Sequence, residues 1–118
     1  MRRLFGKARR PGATPSVDEQ DQLVIEQMRS LGWDMSSERL VENFLYFPTR
    51  EAADSVATEL TADGYQVSVA PSAQGSGWLT QANRRFVVDI DGIRRQRATL
   101  TAIAASNGGE YDGWGAPE

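Results

Sequence analysis

A chain of 118 residues, 40% hydrophobic and 25% charged, has the size and balance of one domain with one ordinary core. It contains no Cys and no His, and its only Lys is Lys7. Disulfides, Cys/His zinc sites, thiol nucleophiles and Ser–His or Cys–His pairs are thereby excluded. Any enzyme would have to work with Asp, Glu, Ser, Thr, Tyr or Arg. The composition points to a binding or regulatory domain, with no catalytic residue, cofactor or metal expected.

The formal charge of −3, from 13 basic and 16 acidic residues, hides a split. Arg2, Arg3, Lys7, Arg9 and Arg10 put five positive charges and no negative one in the first ten residues. The other 108 residues keep 8 of the 13 basic groups and all 16 acidic ones, a formal −8. Such a body repels a phosphate backbone and attracts basic partners. Leu4 and Phe5 do not make the apolar run of a secretory signal, and no window approaches a membrane span. A soluble intracellular protein is expected.

Residues 1–15, with Gly6, Pro11, Gly12 and Pro15, read as a flexible basic arm, and 16–118 as a single domain. Ser16 and Glu19 have the spacing of a capping box that starts a helix. Val17, Val24, Met28 and Leu31 form its apolar stripe, and Gly32 ends it. Residues 39–47 are rich in aromatic and branched side chains. The unbroken run Phe44-Leu45-Tyr46-Phe47 suggests a central strand. Pro48 stops it and Thr49 is placed to cap a helix over 50–63, with Ala53, Val56, Ala57 and Leu60 on its inner face.

Gly64 stops that helix, and 65–70 alternates with Tyr65, Val67 and Val69 facing in. A Ser/Gly-rich turn leads to a hairpin-paired strand over 78–88, whose Gln81, Asn83, Arg84 and Arg85 suggest an exposed face or edge. Asp89 or Asp91 caps a third helix over 91–106. Ile93, Leu100, Ile103 and Ala104 form its stripe, with Arg94, Arg95 and Arg97 outside it. Asn107-Gly108-Gly109 ends the helix, and Glu110–Trp114 is a short last strand.

The order, a helix and then β-α-β-β-α-β, predicts an α+β, ferredoxin-like sandwich. It would have a four-stranded antiparallel sheet, two helices on one face and an added N-terminal helix. Asp63-Gly64-Tyr65 and Gly109-Glu110-Tyr111 give a weak internal echo, each at the helix-to-strand turn of one half. A single exposed edge strand at 78–86 would allow at most a weak dimer of an otherwise monomeric protein.

Two short motifs have ordinary explanations. Asp89-x-Asp91 fits capping by carboxylates at a helix N-terminus better than a metal site. Gly75-Ser76-Gly77 joins two strands and lacks the Gly-Lys-Ser/Thr of a phosphate loop. Arg84-Arg85 and Arg94-Arg95-x-Arg97, with Arg2, Arg3, Lys7, Arg9 and Arg10, could form a nucleic-acid surface. The aromatic motif of an RNA-recognition sheet is absent, so direct RNA binding is kept only as an alternative. Tyr111-Asp112-Gly113-Trp114-Gly115 is the least ordinary stretch, because Tyr and Trp serve both as core closure and as interface anchors.

Four segments together resemble one family: Phe44-Leu45-Tyr46-Phe47-Pro48, Gly64-Tyr65-Gln66-Val67, Gly77-Trp78-Leu79 with Arg84-Arg85, and Gly109-Glu110-Tyr111-Asp112-Gly113-Trp114. Over about residues 36–116 the chain resembles the regulator of ribonuclease E activity B family of small bacterial proteins. The resemblance implies a cytoplasmic ferredoxin-like domain that binds ribonuclease E, slows its cleavage of RNA and is not an enzyme. The basic arm departs from the acidic or neutral sequence expected there. A protein partner, ribonuclease E or a related ribonuclease, is therefore expected, contacted through Glu42, Asp63, Glu110 and Asp112 with Tyr111 and Trp114. An immunity-type interaction module with an unrelated partner is the second expectation.

Overall fold

The computed structural model describes residues 3–7, 17–73 and 75–117. In chain order these form β1 (Arg3–Lys7), α1 (Val17–Ser30), β2 (Glu38–Phe47), α2 (Arg50–Ala62), β3 (Gln66–Pro71), β4 (Trp78–Val87), α3 (Ile90–Ser106) and β5 (Glu110–Pro117). The sheet runs β1-β5-β2-β4-β3, antiparallel at every step. The last four of these strands make the ferredoxin-like arrangement expected from the sequence. A fifth is added at the edge by residues 3–7, which the sequence had placed in the arm. Ser16 and its expected capping box fall outside the described residues.

The signals that stop and start elements act as their chemistry predicts. Thr49 is extended and its Oγ1 accepts from the Ala52 N–H at 3.1 Å, opening α2. Of the two candidate caps for α3, Asp89 takes the role, accepting from Gly92 N–H at 2.7 Å. The internal echo is real but shifted by one residue. Gly64 and Gly108 both take positive φ, and Tyr65 and Gly109 then donate back to Leu60 and Ala104, five residues earlier. Gly109 therefore stands where the first half has Tyr65. A Cβ there would collide with the Tyr46 carbonyl and the Phe47 ring, so the α3–β5 turn sits directly on β2.

All three helices cover one face. Leu45, Phe47, Ala82 and Tyr111 of the sheet pack with Val56 and Leu60 of α2 and Leu100 of α3. Val41, Trp114 and Ala116 pack with Ile25 and Met28 of α1 and Ile93 of α3. Two sequence expectations are corrected here. β4 is no edge: β2 and β3 flank it, and Gln81, Asn83 and Arg85 lie along the open face of an interior strand while Arg84 turns to the helix side. Arg97 is not outside the helix stripe. It lies at i+4 from Ile93 and points inward.

Arg97 completes a polar network across the core. Asp21 of α1 is fully buried. It accepts from Arg97 Nε at 2.9 Å and Nη2 at 2.8 Å, and from Trp114 Nε1 at 2.9 Å. The Arg97 guanidinium lies over the Tyr111 ring, 5.3 Å from its centroid. The Tyr111 hydroxyl donates to Asn43 Oδ1 at 2.9 Å, and Asn43 Nδ2 donates to the Ala82 carbonyl and to Gln96 Oε1, both at 3.1 Å. One chain of contacts thus joins α1, α3, β5, β2 and β4.

Removing one partner of a buried ion pair leaves the other charged and dry, which costs more than the pair itself contributes. Asp21→Ala and Arg97→Ala are each expected to destabilise by about 3–5 kcal/mol, and the double variant by clearly less than their sum. Urea denaturation of the four proteins measures this. Burial holds the Tyr111 hydroxyl well above its ordinary range, with the Arg97 charge pulling only partly the other way. Its folded pKa is therefore above its unfolded one of about 10, so stability is intact below that pH and falls above it. Tyr111→Phe flattens that fall in denaturation midpoints followed through about pH 8–11.

Candidate functional site

Strand alternation sends neighbouring residues to opposite faces of the sheet. With Val41, Asn43, Leu45 and Phe47 turned toward the helices, Leu40, Glu42, Phe44 and Tyr46 turn the other way. The registers extend this outer face. Tyr46 stands opposite Leu79 and Glu110, and Phe44 stands opposite Gln81 and Gly113. Gln66, Ser68 and Ala70 continue it on β3. Among the described residues, no helix packs on this face.

The register shift between Phe44 and Leu45 decides where the closing motif points. Gly113, at φ 111, takes a backbone conformation that L side chains rarely adopt. On either side of this bulge, Tyr111 and Trp114 both turn inward and are 4% and 1% exposed. Asp112 turns outward, close enough to Tyr46 to act on its phenol. The Tyr46 hydroxyl is raised above its usual range, first by partial burial and then by the Asp112 carboxylate.

The expected contact residues therefore divide. Glu110 and Asp112 lie beside Tyr46 on the outer face. Glu42 shares the face but is only 5% exposed, and its Oε2 accepts from Gln81 Nε2 at 3.3 Å. Tyr111 and Trp114 are spent in the core, which corrects their expected place at the surface: alternation gives the outer face to the acids between them. Asp63 caps the C-terminus of α2, exposed on the helix side of the sheet, and is not brought together with the others. Tyr46 was not among the expected contact residues. Its signal, period-two alternation, was hidden by the apolar residues on both faces of β2.

The arginines do not form one basic surface. Arg84 and Arg85 are adjacent on a strand and so leave opposite faces. Arg39, Arg50, Arg84 and Arg97 lie over the rings of Trp33, Trp78, Tyr65 and Tyr111, at 4.4, 5.4, 4.7 and 5.3 Å from the centroids. Arg94 pairs with Asp91 at 3.8 Å, and Arg85 donates to the Glu38 carbonyl at 3.3 Å. Much of the body's positive charge is thus committed internally, while Glu110 and Asp112 remain on the outer face. Arg2, Arg9 and Arg10 lie outside the described residues. Arg3 and Lys7 belong to β1 by their backbone. Among the described residues, no cluster of acidic side chains is placed to hold a metal ion, and no helix is long and apolar enough to cross a membrane.

A family model described as regulator of ribonuclease activity B matches residues 18–116. No curated protein matches the chain.

The outer-face geometry has a direct spectroscopic consequence. Replacing Asp112 by Asn removes a neighbouring negative charge, so the Tyr46 phenol should ionise at lower pH. It should stay above the ordinary tyrosine value, because burial is the larger cause. An NMR titration of the tyrosine ring carbons measures the shift, and Glu51→Gln on α2 should leave it unchanged.

Proposed function

The chain belongs to the regulator of ribonuclease activity B family, and from that premise we propose that it is a non-catalytic regulator that binds a ribonuclease through the helix-free face of its sheet. Ribonuclease E, or a related ribonuclease, is the target in this reading, and the effect is slower cleavage of RNA. The carrying observation is the juxtaposition of Tyr46 with Glu110 and Asp112 on that face.

The 108 residues after the first ten carry a formal −8, which favours encounter with an arginine- or lysine-rich segment and disfavours bare RNA. A half-buried tyrosine rimmed by carboxylates suits a guanidinium. The ring offers a face for stacking, and the acids offer bidentate acceptors. Catalysis needs a group that can attack or exchange a proton near neutral pH. Tyr46, with its phenol raised, is poorly suited to that role.

The test uses purified full-length protein, ribonuclease E and a defined RNA. The wild type should bind and slow cleavage. Tyr46→Ala and the double variant Glu110→Lys/Asp112→Lys should weaken inhibition by about tenfold or more, while Glu51→Lys on α2 behaves as wild type. Absence of binding at micromolar concentration rejects this target and favours an unrelated protein partner. RNA affinity that falls steeply with salt and vanishes when Arg2, Arg9 and Arg10 are replaced by Gln, with β1 left in place, supports the nucleic-acid alternative.

A further inference from the structure

The sheet has two outer edges, and they are built differently. β1 closes one of them and carries Arg3 and Lys7, the kind of charge that discourages further pairing. β3 forms the other over Gln66–Pro71, with no charged residue and no register shift against β4. The neutral stretch extends beyond the strand. From Gly64 to Asn83 the chain has no Asp, Glu, Lys or Arg, although 25% of all its residues are charged. We propose that the free edge of β3 is a self-association surface, which pairs antiparallel with β3 of a second copy about a two-fold axis at Ser68.

The hairpin fixes which backbone groups are free. Ser72 N–H donates to the Gly77 carbonyl at 2.9 Å, in the same register that pairs Pro71 with Trp78. Alternate residues therefore follow Ser72, so that Ala70, Ser68 and Gln66 turn their backbone groups to β4. Val67 and Val69 turn theirs to the open edge, where no strand among the described residues meets them. Both ends of that edge are closed to donors. Tyr65 N–H is taken by the Leu60 carbonyl at 3.0 Å, and Pro71 has none.

This pattern is complementary to itself. With the axis at Ser68, Val67 faces Val69 of the second copy, and Val69 faces its Val67. Each pair exchanges two N–H···O bonds, so every free donor and acceptor of the two valines is used. Centring the axis on either valine instead leaves a valine carbonyl facing Tyr65 or Pro71, which has no donor to give. Charge agrees with the pairing. Asp63 and Arg84 stand beside Tyr65, whereas Pro71 lies opposite Trp78, with Arg50 over that ring. Antiparallel pairing sets the first end of one copy against the second end of the other. The Asp63 carboxylate and the Arg50 guanidinium thus come to the same end of the junction, and neither end gathers charge of one sign. The two sheets then run on as one, with the helices of both copies on one face and both open faces on the other.

Sedimentation equilibrium of the full-length protein should show monomer and dimer exchanging with concentration. Ser68→Glu sets two carboxylates against each other at the axis and should weaken association by about tenfold or more. Gln27→Glu adds the same charge at an exposed position on α1 and should leave association unchanged. The register is read by cross-linking, because the chain has no Cys of its own. In a pair that exchanges no hydrogen bonds the two Ser68 Cα atoms lie about 4.5 Å apart, within the span of a disulfide. Ser68→Cys should therefore oxidise to a covalent dimer about tenfold faster than Gln66→Cys, which faces Ala70 of the second copy. Both are exposed positions, where the fold tolerates the change. Wild-type protein that stays monomeric up to about 1 mM, a dimer indifferent to Ser68→Glu, or cross-linking of Ser68→Cys no faster than that of Gln66→Cys overturns the proposal. These readouts use no ribonuclease and are independent of the proposed target.

Discussion

Asp21 sits fully buried between helices and sheet, and most of the architecture meets at its carboxylate. It binds α3 through Arg97 and β5 through the Trp114 indole. Through Arg97 it also fixes the Tyr111 ring, whose hydroxyl anchors Asn43 in the central strand. Hydrophobic contacts supply most of the driving force for such a fold, but they are tolerant of sliding. A bidentate pair in a dry core is not. It sets α1 against α3 in one position, and it fixes which face of β5 turns inward.

That second consequence shapes the proposed binding face. The register shift between Phe44 and Leu45 lets Tyr111 and Trp114 both reach the core while Asp112 turns out. The two aromatic side chains that look most like interface anchors are therefore structural. The acids interleaved with them are left on the outer face, beside Tyr46. In the proposed reading, binding then draws on electrostatics and one half-buried ring rather than on a broad apolar patch.

Much of the fold was legible in the sequence, because its signals are local. Thr49 and Asp89 cap, Gly64 and Gly108 reverse the chain, and Tyr65, Val67 and Val69 alternate. The ferredoxin-like order followed from element order alone. What escaped notice depended on partners distant in sequence. Asp21 lies at helical spacing from Ile25 and Met28, and Arg97 from Ile93, Leu100 and Ala104. Each polar residue thus occupied an apolar stripe, and the pair could have been suspected from that. Tyr111 and Trp114 are three apart, which in an unbroken strand would place them on opposite faces. Only the bulge puts both inside, and one sequence does not reveal a bulge. The edge position was assigned to β4 because its polar residues suggested exposure, whereas an interior strand of a one-sided sheet shows the same polarity on its open face.

In the proposed reading the protein meets its ribonuclease with the face opposite its helices. Hydroxyl-radical footprinting of the full-length protein, alone and in complex with ribonuclease E, reads that face directly from side-chain accessibility. Protection of Tyr46 and Leu79, with Leu23 and Leu31 on α1 and its C-terminal turn unchanged, is the predicted result. Protection of Leu23 and Leu31 with Tyr46 still fully reactive would contradict it.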